Sequence, residues 1–447
     1  MIHLGDDGMT TNQLLKPITT ETVNGILHIG GCNTVELAKQ YKTPLYVIDE
    51  TTLRSVCKDY KNAFKKYPYT KMMYASKALC TSAISKILDS EGFGFDTVSI
   101  GEMYTLIKNG IPLEHVLFNG NNKTEFELDY AIKNGIGRIS VDNFAEVDII
   151  SKIGGRYHRN IDVLIRITPG IECHTHEYIQ TGQLDSKFGF DLSQVDDVIT
   201  KIMTEHQNIK IRGLHAHIGS QIFEPNCFHD EIEVLIKEIA RVEEKFRIKL
   251  DEINIGGGLG VKYTNTDLPP SINEVADIII ASLEHHIEKY HTEPPTLYIE
   301  PGRSVISTAG ITLYTIGSMK QVPNLTKYIT VDGGMADNPR PSMYQAEYYA
   351  EIANNTTGDD TEKVTIAGRF CESGDILIKD ITLPKAKTGD ILCVYNTGAY
   401  NYSMASNYNK VEKSAMVLVK DGKSDMIVNR ETLEDLISHD IVPDRLK

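Results

Sequence analysis

No apolar run in this sequence of 447 residues approaches the roughly 20 needed for a membrane-crossing helix. The longest uncharged stretch, Ser304 to Met319, is broken by Ser, Thr and Gly and reads as strand. The opening segment, MIHLGDDGMT, lacks the basic start and apolar core of a secretory signal, so none is expected. Seven cysteines are dispersed without a single CxxC pair. That pattern suits a reducing compartment, the cytoplasm, better than a disulfide scaffold. Positive charge is the minority sign: 46 Lys and Arg stand against 61 Asp and Glu, for a formal net charge of −15. This argues against nucleic acid as a partner, because counterion release needs clustered Lys and Arg. An anionic cofactor stays open, since charges beyond about 8 Å are largely screened and a few local donors decide the matter. Low-complexity tracts are absent, as are repeats beyond strand–helix units.

What is present fits a soluble globular enzyme, with 41% hydrophobic and 24% charged residues. The length favours two domains. Eight short β-branched runs recur with room for a helix between each pair: KMMYASKA from Lys71, FGFDTVS from Phe93, HVLFNG from His115, RISVDN from Arg138, DVLIRITP from Asp162, IRGLHAHIG from Ile211, EINIGGG from Glu252 and TLYIEPGR from Thr296. Strands alternating with helices imply parallel pairing, and eight such units predict a closed (β/α)8 barrel of the TIM type within the α/β class. An open doubly wound sheet is the alternative. From about Ser307 the runs become closely spaced, with Gly and Asp at the turns, which predicts a second, mainly antiparallel β domain. GILHIGG, from Gly25, is strand-like and is expected to join that domain. The expected boundaries are therefore 25–45 for this joining segment, 46–306 for the barrel and 307–447 for the β domain.

Such barrels place their active sites at the C-terminal ends of the strands. There the first run carries Lys77, the second Asp96, the fifth Arg166 and the sixth His217. The seventh ends in Gly256, Gly257 and Gly258, and the eighth in Glu300, Pro301, Gly302 and Arg303. Each has a bland reading on its own. Lys77, in YASKA, is either a lysine snorkelling to the surface or a Schiff-base lysine whose amine is kept neutral by desolvation. The glycine run is either a turn or a set of backbone N–H groups presented to a phosphate. Arg303 can add a charge-assisted contact to the same anion or to a carboxylate. His215 with His217, and His174 with His176, form HxH pairs that raise the possibility of metal. They do not follow the first strand, where barrel hydrolases place such a pair, and a ring packed against a cofactor is the better reading of His217. Cys371 and Glu372, in GRFCESGD of the β domain, sit between turn glycines, which favours a rim position over a core one.

YASKA, HIGSQ, GGGLG, EPGR, CESGD and GAYNYSMASNYN, in this order, resemble the alanine-racemase-like, fold-type III class of pyridoxal-phosphate decarboxylases. Within it, THEYIQTG followed by SKFGFDL (Thr175 to Leu192), RPSMY from Arg340 and SNYN from Ser406 are similar to the diaminopimelate decarboxylases. The resemblance covers roughly residues 25 to 435. The first 24 residues match nothing in it and are expected to form a flexible extension. It implies that Lys77 holds pyridoxal 5'-phosphate and that Asp96 and Arg166 belong to the cofactor-binding set. It also implies that Ser220, Gly256 to Gly258 and the backbone from Pro301 to Arg303 hold the phosphate. His217 would stack on the ring, and Glu300 would pair with the ring nitrogen. Tyr400 would lie near phosphate and substrate. Arg303, Arg340, Tyr344 and Glu372 are the implied substrate-binding positions, and Cys371 the proton donor. Cys371 and Glu372 reach the neighbouring subunit's barrel in this class, so a homodimer is implied. The implied reaction is decarboxylation of meso-diaminopimelate to L-lysine, with no metal. The alternatives are a relative acting on carboxynorspermidine, arginine or ornithine, and a catalytically silent pyridoxal-phosphate-binding protein. Two departures stand beside the site: Ile100, where the family usually has glycine, and Asn338-Pro339 before Arg340.

Overall fold

A computed structural model describes residues 9–171 and 186–447. Eight of its strands close on themselves: β1 (Thr70–Ala75), β2 (Gly94–Thr97), β3 (Val116–Phe118), β4 (Arg138–Val141), β5 (Ile161–Thr168), β6 (Ile209–His215), β7 (Glu252–Asn254) and β8 (Thr296–Ile299). All pair in parallel, and β8 returns to β1, with Leu297, Tyr298 and Ile299 opposite Thr70, Lys71 and Met72. Closure excludes the open sheet. Parallel neighbours need a crossover, here mostly a helix whose first N–H groups must find acceptors. Short polar side chains supply them: Ser99, Thr124, Asn143 and Ser271 each accept from the backbone N–H three residues on.

The barrel interior divides into levels. At the strand starts, Arg138 of β4 grips Glu252 of β7 with two bonds of 2.8 and 2.6 Å. Met73, Leu117, Leu164 and Tyr298 form a small buried apolar cluster that plugs the ring. The strand ends carry the charged side chains. Outside, the helices pack onto the strands in the largest apolar cluster of the molecule.

The β domain is built on Gly310–Gln321. Its first half lies between Leu45–Asp49 and Ile391–Tyr395, and its second half pairs with Lys327–Val331. Pairing is antiparallel except between Lys327–Val331 and Thr361–Ala367, and between Leu45–Asp49 and Ala415–Lys420.

Four details correct the expected organisation. Leu45–Asp49 belongs to the β domain, so the barrel does not begin at residue 46; helix Glu50–Ala63 leads into β1. Ile26–Ile29 forms a separate three-stranded sheet with Glu21–Val23 and Cys32–Asn33. It still buries Leu27 and Ile29 against Leu45, Val47 and Val417 of the β domain. Ser304 begins in a short helix, Arg303–Ile306, and the strand starts only at Gly310. The flexible extension expected for residues 1–24 does not hold for its described part. Thr10, Thr11 and Asn12 are buried, and Asn12 Nδ2 donates to the carbonyls of Gly260 and Pro270. The buried amide needs those acceptors, and the strap in turn braces the chain that follows the glycine run.

Asp337, buried within the β domain, accepts bonds from Tyr314 Oη and the Gly334 N–H. Burial pushes its carboxyl up to about 7, and the hydrogen bonds oppose that only in part. A raised folded value means stability is fullest below the unfolded value and is lost as pH rises through about 7. Between pH 5 and pH 8 this group should cost about 3 kcal/mol. Asp337→Asn is therefore expected to gain on wild type in unfolding midpoint as pH is raised from 5 to 8. A gap that did not change with pH would show the carboxyl is not held neutral.

Candidate active site

At the end of β1 the chain tightens into a 3-10 turn, Ser76–Ala78, which carries Lys77 into the barrel mouth. Its side chain is exposed to a cavity of about 450 Å³, which it helps to line. The expectation that desolvation keeps this amine neutral is corrected here. Burial does pull its pKa down, but Asp96, then Tyr400 and Glu300, outweigh that and hold it above its ordinary value. Lys77 is thus an ammonium held by the field of these groups, and Arg166, also lining the cavity, opposes them.

Glu300 stands just past β8, buried, with Oε1 accepting from Asn119 Nδ2 at 3.0 Å and from Asn254 Nδ2 at 2.7 Å. Burial, then the charge of Asp96, push its carboxyl up to about 7, against the pull of Lys77. Asp96 is buried, does not line the cavity, and shares the Asn119 amide at 2.7 Å. Arg166 is stacked 4.3 Å from the Phe188 ring, with Asp142 at 3.7 Å. Burial holds both His215 and His217 well below the usual imidazole range, so both rings are neutral. His215 Nδ1 bonds Ser140 Oγ at 2.7 Å.

The glycine run wraps one wall. Gly256 and Gly258 have φ of +63° and +119°; a Cβ at Gly256 would sit 2.5 Å from His217 Nδ1, and one at Gly258 would sit 2.5 Å from the Gly219 carbonyl oxygen. Only glycine permits that approach. Gly257 N–H donates to His217 Nδ1 at 3.2 Å and sets the ring's orientation. Gly258, Ser220 and Gly302 face the cavity, whereas Gly256, Gly257 and Pro301 back it. Arg303 donates to Ser220 Oγ at 3.0 Å and to Tyr263 Oη at 2.8 Å, and its guanidinium lies 4.8 Å from the Tyr400 ring. Tyr400 has a left-handed φ of +62° and is held by its N–H on the Ala78 carbonyl at 2.9 Å. That strained backbone hangs the ring over the cavity. Arg340, buried, lies 5.7 Å from the rings of Tyr344 and Tyr400.

The structure thus brings to one cavity Lys77, Arg166, His217, Ser220, Glu300 and Arg303 from the barrel, with Arg340, Tyr344 and Tyr400 from the β domain. Cys371 and Glu372 are not among them. Both are exposed on the β domain, with the Cys371 N–H on Asn409 Oδ1. His174, His176 and most of Thr175 to Leu192 lie outside the described residues. Asn119, Asn254 and Tyr263 were missed. The first two obey the same strand-end rule that singled out Lys77, and applying it to every strand would have found them. Ile100 opens a regular helix capped by Ser99, and Pro339 stands at the N-cap of helix Arg340–Tyr344, so both departures are ordinary helix starts. Among the described residues, one exposed group, Asp148, Glu205 and His206, has the spacing to hold a metal, and Lys201 already pairs with both acids.

The donor set suits an anionic aromatic aldehyde: an amine for the aldehyde, a glycine cradle with Ser220 for the anion, and a buried acid for a basic ring nitrogen. No described helix is long and apolar enough to cross a membrane. The model of the pyridoxal binding domain of pyridoxal-dependent decarboxylases matches residues 52–307. The diaminopimelate decarboxylase of a Synechocystis species is 46% identical over 97% of this chain and 94% of its own length. That of Bacillus subtilis is 44% identical over 96% and 98%. The crystal structure of the M. jannaschii diaminopimelate decarboxylase in complex with L-lysine superposes with a TM-score of 0.91 at 34% identity, covering 97% of this chain and all of the other. Pyridoxal phosphate is accordingly the cofactor, and the chain belongs to the diaminopimelate decarboxylase family of pyridoxal-dependent decarboxylases.

Proposed function

We propose that this enzyme removes carbon dioxide from the D-centre of meso-2,6-diaminopimelate to give L-lysine, the closing step of lysine biosynthesis. The observation that carries this reading is the pair of buried arginines, Arg303 and Arg340, converging on the cavity that also holds Lys77 and Glu300. A substrate with a second carboxylate at its far end needs such a cation, whereas an ornithine-type substrate offers only an ammonium there.

Bound pyridoxal phosphate supplies the sink for the electron pair left when carbon dioxide departs. Lys77 would hold its aldehyde, the glycine cradle with Ser220 and Arg303 would hold its phosphate, and the neutral His217 ring would pack against it. Glu300 would keep a proton at the ring nitrogen. The aromatic rings of Tyr263, Tyr344 and Tyr400 flank the arginines, so a carboxylate there would meet two cations held in place. Cys371 returns the proton to carbon and Glu372 reads the distal ammonium, both from a partner subunit in a cytoplasmic homodimer. Both are exposed on the β domain and do not line their own chain's cavity, which supports that arrangement.

Purified enzyme loaded with pyridoxal phosphate should turn over meso-diaminopimelate far faster than ornithine, arginine or carboxynorspermidine. Arg340→Ala should raise KM for diaminopimelate by about tenfold or more, since charge-assisted bonds are worth roughly 1.5 to 3 kcal/mol. An analogue lacking the distal carboxylate should lose much less. Equal losses for both would assign Arg340 to loop structure, and a preference for ornithine would overturn the substrate reading.

A further inference from the structure

Asn119 follows β3, and its side-chain nitrogen lies 2.7 Å from Asp96 Oδ1 and 3.0 Å from Glu300 Oε1. One amide group thus donates its two hydrogens to two buried carboxyls. A flipped amide would set a carbonyl oxygen against both acids, so the orientation follows from the partners. The other end of the amide, Oδ1, is buried with no hydrogen-bond partner, a cost borne to keep the nitrogen between the acids. The backbone fixes where the side chain starts, with Asn119 N–H on the Thr97 carbonyl at 2.8 Å. Asn254 adds its own donor to Glu300 Oε1, and His215 Nε2 stands 3.7 Å from the same oxygen. These groups gather on Oε1, which leaves Oε2 to face a ring nitrogen.

We propose that Asn119 is a positioning residue that makes Glu300 a weaker base than its burial beside Asp96 would leave it, so that the proton shared by Glu300 and the cofactor's ring nitrogen stays on the nitrogen. This rests on the assignment of Glu300 to that nitrogen. A carboxylate that accepts donors is less basic than one that accepts none. The charged and titratable groups facing Glu300 are Lys77 from β1, Asp96 from β2, Arg166 from β5, His215 from β6 and Glu231 from helix Asn226–Phe246. Burial and Asp96 make Glu300 more basic, while Lys77 and the two asparagine amides oppose them. Asn119 differs from Asn254 in acting on Asp96 as well, lowering the basicity of both acids at once. Without it the proton should move from the ring nitrogen towards Glu300, and the ring becomes a poorer electron sink.

Asn119→Leu removes the donors at similar volume, and Asn119→Asp replaces them with an acceptor. The holoenzyme would be loaded with pyridoxal phosphate carrying 15N in its ring and studied near neutral pH. The wild-type resonance should be that of a protonated ring, and in both variants it should move towards neutral pyridine. Turnover should fall about tenfold or more, with KM for meso-diaminopimelate changed less than about threefold. A resonance that stayed at the wild-type position in both variants would overturn the proposal, even if activity or thermal stability fell. A neutral ring in the wild type would refute the Glu300 pairing itself, and the proposal with it.

Discussion

Lys77→Ala is expected to lower turnover by about 10³-fold or more and to remove the Schiff-base absorption of the bound cofactor, because the amine proposed to hold the aldehyde would be gone. The fold should survive. Asp96 and Glu300, which surround the amine, can each take up a proton once their cation is removed. A second lysine, Lys123, lines the same cavity but cannot substitute. Its ammonium donates to the carbonyls of Gly120 at 2.6 Å and Ser140 at 2.7 Å, and pairs with Glu146 at 2.9 Å. All three hydrogens are committed to a buried polyhedron of acceptors. Borohydride treatment of the variant followed by peptide mapping checks the point. Label recovered on Lys123, with the absorption band retained, would remove Lys77 from its role.

Cys371→Ala and Lys77→Ala homodimers should each be nearly inactive, yet mixing them under conditions of subunit exchange should restore activity. Lys77 stands in the barrel mouth, while Cys371 is exposed on the β domain and does not line its own chain's cavity. Protonation of carbon needs a donor within hydrogen-bonding reach, and on the proposed shared site Cys371 of a second copy of the chain supplies it. With random exchange about one quarter of wild-type sites should be intact, because about half the dimers are mixed and each carries one complete site of two. Verified mixed dimers that stayed inactive would mean that each barrel uses a donor of its own.

Much of this was legible because the barrel strands are short, apolar and buried on both faces, and because polar residues at their C-terminal ends stand out against that background. Lys77, Arg166 and Glu300 were visible for that reason. Asn119 and Asn254 follow the same rule but look like ordinary turn residues, since nothing local marks an amide as the partner of two acids brought in by other strands. Leu45–Asp49 is buried at every position, as a barrel strand would be. Its place in the β domain is fixed by distant partners, Gly310–Gln321 and Ala415–Lys420, which no window around residue 45 contains. The charge state of Lys77 was misjudged for a related reason. YASKA displays an apolar neighbourhood, whereas Asp96 and Glu300 approach through the ring. The strap at Thr10 to Asn12 escaped notice because a short polar segment reads as loose chain until its acceptors, Gly260 and Pro270, are in place.

Decarboxylation at the D-centre breaks one defined carbon–carbon bond. meso-Diaminopimelate carrying 13C only in the carboxylate of its D-centre should be incubated with the holoenzyme, and gas and amino acid followed together. Release of labelled carbon dioxide with one equivalent of unlabelled L-lysine is the predicted result. Label retained in the lysine, or no carbon dioxide at all from enzyme that has bound pyridoxal phosphate, would contradict it.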